Sequence, residues 1–95
     1  MKQVSVIGAG TMGNGIAHCF AQKKIKAHLI DLSVENLNNA KKIIGNNLER
    51  MIKKEIISEQ DKEDIISRIS FHTSLGEYVK NSDLVIEAAT ESREV

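Results

Sequence analysis

No proline occurs in the 95 residues, and there is a single cysteine, Cys19. Proline breaks helices by removing a donor and clashing with the preceding turn, so its absence leaves long helices open to this chain. A lone cysteine excludes an internal disulfide and fits a reducing compartment, so a cytoplasmic setting is expected. Neither charge sign is in excess: Lys and Arg total 13, Asp and Glu total 13, and the formal net charge is zero. That balance argues against a nucleic-acid partner held by bulk electrostatics. It also predicts self-association near neutral pH. No apolar run approaches a bilayer's thickness, so no membrane partner is expected. The opening MKQVSVIG has one early lysine and too short an apolar run for a secretory signal. The histidines, His18, His28 and His72, show no metal-ligand spacing, and no metal site is expected. They read as packed or half-exposed residues. Cys19 and His18 point in adjacent helical directions rather than converging as nucleophile and base, and Cys19 reads as a small packing residue.

What the chain does have is a glycine turn in a telling context. A short apolar run, Val4 to Ile7, leads into Gly8, Gly10 and Gly13, and the helical pattern of Met12, Ile16, Ala17 and Phe20 follows, a set expected to face a sheet. Strand, tight turn and helix is the setting in which G-x-G-x-x-G becomes a nucleotide-binding motif. Gly8 turns the chain off the strand, Gly10 clears the way for a pyrophosphate, and Gly13 allows close helix–strand packing. The N–H groups of the first helical turn, with the helix dipole, would hold the phosphates. A second strand, Ile25 to Ile30, ends in Asp31, close to the expected spacing of about 20 residues. There a carboxylate can accept two hydrogen bonds from a ribose and repel a 2′-phosphate, favouring NAD over NADP. Two blander readings stand beside these: a glycine-rich turn of some other α/β domain, and a turn acid capping the second helix.

The remaining elements follow from period and punctuation. Thr11 to Gln22 reads as the first helix, with Gly15 tolerated where the sheet or a ligand comes close, and Lys23 and Lys24 suit its C-terminal dipole. Val34 to Lys54 reads as a long second helix with Leu37, Ala40, Ile43, Ile44, Leu48, Met51 and Ile52 on one face. Ser33 is a plausible N-cap without a capping box, since Glu35 falls at +2 and Asn36 at +3. Ser58 with Asp61 is a capping-box signature for a short helix, Glu59 to Ile66. Ile69 to His72 reads as a third strand, Leu75 to Lys80 as a short helix, Asn81–Asp83 as a turn, and Leu84 to Ala88 as the next parallel strand, apolar apart from Glu87. A buried Glu87 carboxylate there would be costly, with a raised pKa. The order argues an α/β fold: a Rossmann-like parallel sheet with flanking helices, its N-terminal portion only. Residues 1–95 form one domain, too short for both halves of a doubly wound fold.

The stretch Val4–Ala17, VSVIGAGTMGNGIA, together with Leu29-Ile30-Asp31 and Asp83–Glu91, DLVIEAATE, resembles the NAD-binding domain of the 3-hydroxyacyl-CoA dehydrogenases, the 3-hydroxybutyryl-CoA members above all. The resemblance implies an oxidoreductase interconverting L-3-hydroxyacyl-CoA and 3-oxoacyl-CoA with NAD. It implies a helical second domain and a catalytic His–Glu pair and Asn beyond Val95, so no catalytic residue falls within the chain. This piece alone is expected to be inactive, and the full-length enzyme to be a homodimer. The implied cofactor-binding residues are Gly8, Ala9, Gly10, Thr11, Met12, Gly13, Asp31 and Glu91, with Glu91 at the nicotinamide and ribose end. Read without the resemblance, Glu91 is a helix N-terminal acid. Asn47 and Lys54 on the second helix match substrate positions, Lys54 a basic residue near the CoA phosphate. Asn47 departs from the family's serine, and Lys53–Lys54 also reads as a solvated helix end. The alternative is a non-catalytic nucleotide-binding or self-associating structural module, suggested by zero net charge and exposed sheet edges.

Overall fold

In a computed structural model, residues 1–88 are described. The first strand, β1 (Gln3–Ile7), ends where Gly8 takes a φ of 107°, a value L side chains rarely adopt. Helix α1 (Thr11–Gln22) follows, then β2 (Lys26–Ile30), α2 (Val34–Lys53), α3 (Glu59–Ser67), β3 (Ile69–His72), α4 (Glu77–Lys80) and β4 (Leu84–Glu87). These bounds fall within two residues of those expected.

Two helix ends explain how the chain turns without proline or a glycine stop. After α1, Lys24 sits at φ 70°; its N–H bonds to the Ala21 carbonyl, and the Ile25 N–H bonds to Phe20. After α2, Glu55 sits at φ 60°, with its N–H on Ile52 and the Ile56 N–H on Met51. Both are Schellman endings with a non-glycine residue in the left-handed position. Ile25 therefore belongs to the turn rather than to β2. At the helix starts, the Ser33 hydroxyl accepts from the Asn36 N–H, and Ser58 and Asp61 form the full reciprocal capping box.

The four strands are all parallel, in the order β3-β2-β1-β4. The chain steps outward from β1 to β3, then returns to the other side of β1. Right-handed crossovers place α1, α2 and α3 on one face and α4 on the other. The first face is the core: Val4 and Val6 of β1 pair with Ala27 and Leu29 of β2, under Ala17 and Ala21 of α1, Leu37, Ala40, Ile44 and Leu48 of α2 and Ile65 of α3. Fully burying a leucine such as Leu48 contributes about 1.5–3 kcal/mol. The second face carries Ser5, His28, Ser70 and His72, and among the described residues only the short α4 lies over it. This is half of a doubly wound, Rossmann-like fold.

Four residues lie elsewhere than their pattern suggests. Met12 is 53% exposed because it falls in the first turn of α1, ahead of the stretch that meets the sheet. Cys19 is exposed, since Ala17 and Ala21 take the inward direction and position 19 points about 200° away from 17. Ile43 is exposed beside Ala40 and Ile44, which fill the α2 interface. Glu87 is exposed and β4 is open along Leu84 and Val85, because among the described residues β4 is an edge strand paired with β1 alone.

Relieving the left-handed strain should stabilise the fold: Lys24→Gly and Glu55→Gly are each expected to add about 0.5–1 kcal/mol, the steric gain less glycine's added backbone entropy. Urea denaturation midpoints test this, and an unchanged or lower midpoint in both would show that these turns carry no strain.

Candidate functional site

The carboxyl ends of β1 and β2 build the site. Gly8 donates its N–H to the Ile30 carbonyl at 2.6 Å, tying the turn to the end of β2. A Cβ placed on Gly13 would lie 1.7 Å from the Gly8 carbonyl oxygen, so α1 approaches β1 as closely as backbone allows. Gly10 is the N-cap of α1, and among the described residues no side chain caps that end. Asn14 is the first residue whose N–H bonds within the helix, to the Gly10 carbonyl at 2.9 Å, and its buried side chain donates to the same oxygen at 3.1 Å. The N–H groups of Thr11, Met12 and Gly13 occupy the first turn, which holds no acidic residue. A helix start of this kind is an anion site in waiting.

Asp31 closes the arrangement. Its carboxylate accepts from the Ala9 N–H at 2.9 Å, the Ser33 N–H at 2.9 Å and the Asn36 side-chain amide at 3.2 Å. Its own N–H bonds to the His72 carbonyl at 3.0 Å. Burial pulls its pKa upward, but the donors from Ala9, Ser33 and Asn36 together outweigh burial and hold it below the ordinary carboxylate value. Asp31 thus stays ionised at neutral pH and does two jobs, bracing the glycine turn and the start of α2. The Ala9 N–H, being taken by Asp31, is not free for a phosphate.

Beside Asp31 lies a largely apolar cleft of about 320 Å³, lined by Ile7, Gly8, Ile30 and Asp31 at the strand ends and by Leu32, Ser74 and Leu75 from the following loops. Leu32 and Leu75 remain 87% and 63% exposed. Two exposed leucines beside an ionised carboxylate and a bare helix start suit a ligand with a flat apolar group, a polyol and a phosphate. Sequence reasoning missed Leu32, Ser74 and Leu75; the one available signal was an apolar residue directly after Asp31.

The structure brings Gly8, Ala9, Gly10, Thr11, Met12, Gly13 and Asp31 together. It does not bring Asn47 or Lys54 to them. Asn47 is half-buried on α2, and exposed Lys54 caps the far end of that helix, roughly 30 Å along its axis from Val34. Glu91 lies outside the described residues. A Cβ placed on Gly15 would meet no protein atom within 4 Å, so the sheet does not come close there. Among the described residues no three metal-ligating side chains converge, and no helix is long and apolar enough to cross a membrane.

One cluster was invisible in the sequence. His28 Nδ1 and His72 Nε2 lie 3.0 Å apart, and the Tyr78 ring stacks on both imidazoles at centroid distances of 4.7 and 3.9 Å. Burial lowers the pKa of both histidines, as does the nearby Lys26 ammonium, and His72 lowers that of His28.

Residues 3–95 match the model of the family "3-hydroxyacyl-CoA dehydrogenase, NAD binding domain". The chain is 41% identical over its full length to a 3-hydroxybutyryl-CoA dehydrogenase from Bradyrhizobium diazoefficiens, covering 32% of that protein. It is 35% identical to the rat mitochondrial hydroxyacyl-coenzyme A dehydrogenase, covering 97% of this chain and 31% of that one. Its fold superposes on the crystal structure of (S)-3-hydroxybutyryl-CoA dehydrogenase from Ralstonia eutropha with a TM-score of 0.90 at 39% identity, over 98% of this chain and 32% of that one. The chain thus spans about a third of the length of these relatives.

The two helical glycines should separate cleanly. Gly13→Ala is expected to cost about 3 kcal/mol or more, since the clash is with backbone that cannot swing away. Gly15→Ala should stabilise the unliganded protein by about 1 kcal/mol, the helix-propensity gain at an open position. Equal effects in thermal denaturation would show that the Gly13–Gly8 approach is not what holds α1 in place.

Proposed function

The chain belongs to the 3-hydroxyacyl-CoA dehydrogenase family through its NAD-binding domain, and from that premise we propose that residues 1–95 bind NAD in the cleft between the glycine turn and Asp31. The observation that carries the proposal is the pairing of an uncapped α1 N-terminus with an ionised Asp31 at the end of β2. NAD, when bound, supplies the hydride-accepting chemistry. The N–H groups of Thr11, Met12 and Gly13 hold the pyrophosphate, and Gly10 lets it approach. Asp31 accepts from the adenosine ribose hydroxyls, and its charge repels a 2′-phosphate. Leu32 and Leu75 flank the adenine. Glu91 is assigned to the nicotinamide and ribose end.

In the context of a full enzyme we propose the interconversion of L-3-hydroxyacyl-CoA and 3-oxoacyl-CoA, with 3-hydroxybutyryl-CoA as the substrate. The naming of the Bradyrhizobium and Ralstonia relatives supports the short acyl chain. Asn47 and Lys54 are assigned to the acyl-CoA, and a homodimer to the assembly. Residues 1–95 by themselves are proposed to bind NAD without turning substrate over.

Calorimetry on the folded protein tests the cofactor assignment. NAD is expected to bind at least about tenfold more tightly than NADP, and Asp31→Ala should erase most of that difference, about 1.4 kcal/mol. Absence of heat at millimolar NAD, or tighter binding of NADP, would overturn it.

The exposed β4 edge favours a second reading, a self-associating nucleotide-binding module. Sedimentation at neutral pH is expected to show association weakened by Val85→Lys. A strictly monomeric protein would remove this reading.

A further inference from the structure

The second face of the sheet is the sparsely covered one, and its polar cluster reaches the cleft. His28 on β2 and His72 on β3 are diagonal neighbours, since Ser70 pairs with His28 and His72 with Ile30. Tyr78 of α4 lies over both rings. Each end of Tyr78 is tied down. Its carbonyl accepts from the Gln3 side-chain amide at 3.2 Å and from the Ser82 hydroxyl at 2.8 Å, and Ser82 in turn is bonded to the buried Ser5 hydroxyl at 2.6 Å. Its phenol donates to the Ser74 carbonyl. Ser74 and Leu75 are the loop wall of the cleft beside Asp31. His72 is tied to the same cleft from the other side, through its carbonyl and the Asp31 N–H.

The proton count of the imidazole pair is constrained. Among the described residues, His28 Nε2 is buried without a hydrogen-bond partner. An unpaired lone pair there is tolerable, whereas an unpaired N–H is rarely found buried. The neutral pair therefore has His28 Nδ1–H donating to His72 Nε2. One bridging proton occupies the contact, so a further proton that keeps the bridge must fall on His28 Nε2, where the described residues offer no acceptor. A proton on His72 Nε2 instead breaks the bridge. Either way protonation disfavours this geometry. Lys26 on β2 adds repulsion to both rings, β1 presents the uncharged Ser5, and α4 presents Tyr78.

We infer that the His28–His72–Tyr78 stack is a positioning device for the adenosine end of the cleft, holding the Ser74–Leu75 wall while the imidazole pair is neutral and releasing it when the pair gains a proton. The inference rests on the dinucleotide reading given above. Dinucleotide affinity then falls on acidification through histidines that never touch the ligand. The sign follows from linkage: both folded-state pKa values lie below the ordinary 6.5, so the stability contributed by the neutral pair is full above about pH 6.5 and is lost as pH falls from there through the lower folded values. Asp31, held below the ordinary carboxylate range, stays charged over the same interval and contributes no slope near neutrality.

NAD is the probe, because its pyrophosphate does not titrate between mildly acidic and neutral pH. Calorimetric Kd values are measured from about pH 5.5 to about pH 7.5, with circular dichroism confirming the fold at each point. The Kd of the unaltered protein is expected to rise roughly fivefold or more on acidification, while a His28→Asn/His72→Gln double variant, which keeps the polar contact but cannot titrate, stays flat within about twofold. Tyr78→Phe keeps the ring stack and removes the bond to Ser74, so it should weaken NAD near pH 7.5 and flatten the pH dependence, because the wall is then uncoupled from the imidazole pair. Reciprocally, NAD should lower the imidazole pKa values seen by NMR, since the ligand favours the neutral pair. A pH-independent Kd in the unaltered protein, the same slope in the double variant, or unmoved imidazole pKa values would overturn the device alone. No NAD binding at about pH 7.5 would instead overturn the cofactor assignment and the device with it. Should the double variant not fold, the NMR titration and Tyr78→Phe decide the matter.

Discussion

The close approach of α1 to β1 is the constraint on which the rest depends. With a Cβ at position 13 falling 1.7 Å from the Gly8 carbonyl, no side chain other than hydrogen permits that packing. Because the helix start is pressed against the end of β1, its first-turn N–H groups lie at the carboxyl end of the sheet. Because Gly8 is bonded to Ile30 and Ala9 to Asp31, the same turn brings the end of β2 alongside. Asp31 then braces α2 through Ser33 and Asn36. One tight turn thus sets the relative position of two strands, two helices and the Asp31 carboxylate.

The two faces of the sheet obey different physics. Under α1, α2 and α3 the contacts are aliphatic, from Val4, Val6, Leu29, Ile44 and Leu48, and their strength is that of area removed from water. Under α4 the contacts are directional: Ser5 to Ser82, Ser82 to Tyr78, imidazole to imidazole. Among these the imidazole contact responds to protons near neutrality, and apolar packing does not. That difference is why acid sensitivity is assigned to the second face and to the loop wall attached to it.

Sequence periodicity was a reliable guide where a single element decides the answer. The strands, the helices and the capping box of Ser58 with Asp61 are local, and they lie where spacing put them. It was less reliable where burial depends on a neighbour. Cys19 and Ile43 carry the right residue types for packing, yet they face away from the contact, and Glu87, set in an apolar run, sits exposed on an edge strand. The two helix ends lie where the pattern placed them, but the left-handed turns at Lys24 and Glu55 carry no sequence mark, because they lack the usual glycine.

The order of elements, the glycine turn and Asp31 at the end of β2 were determined by the sequence alone, because each rests on contacts within a few residues or on a spacing set by one βαβ unit. Strand register was decided only by the tertiary structure. It alone set His28 against His72 across 44 residues and brought Tyr78 over both, and it joined Leu32 to Leu75 across one cleft. Pairings of that kind depend on which residues of distant strands end up opposite one another, and a single chain read in one dimension carries no signal of it.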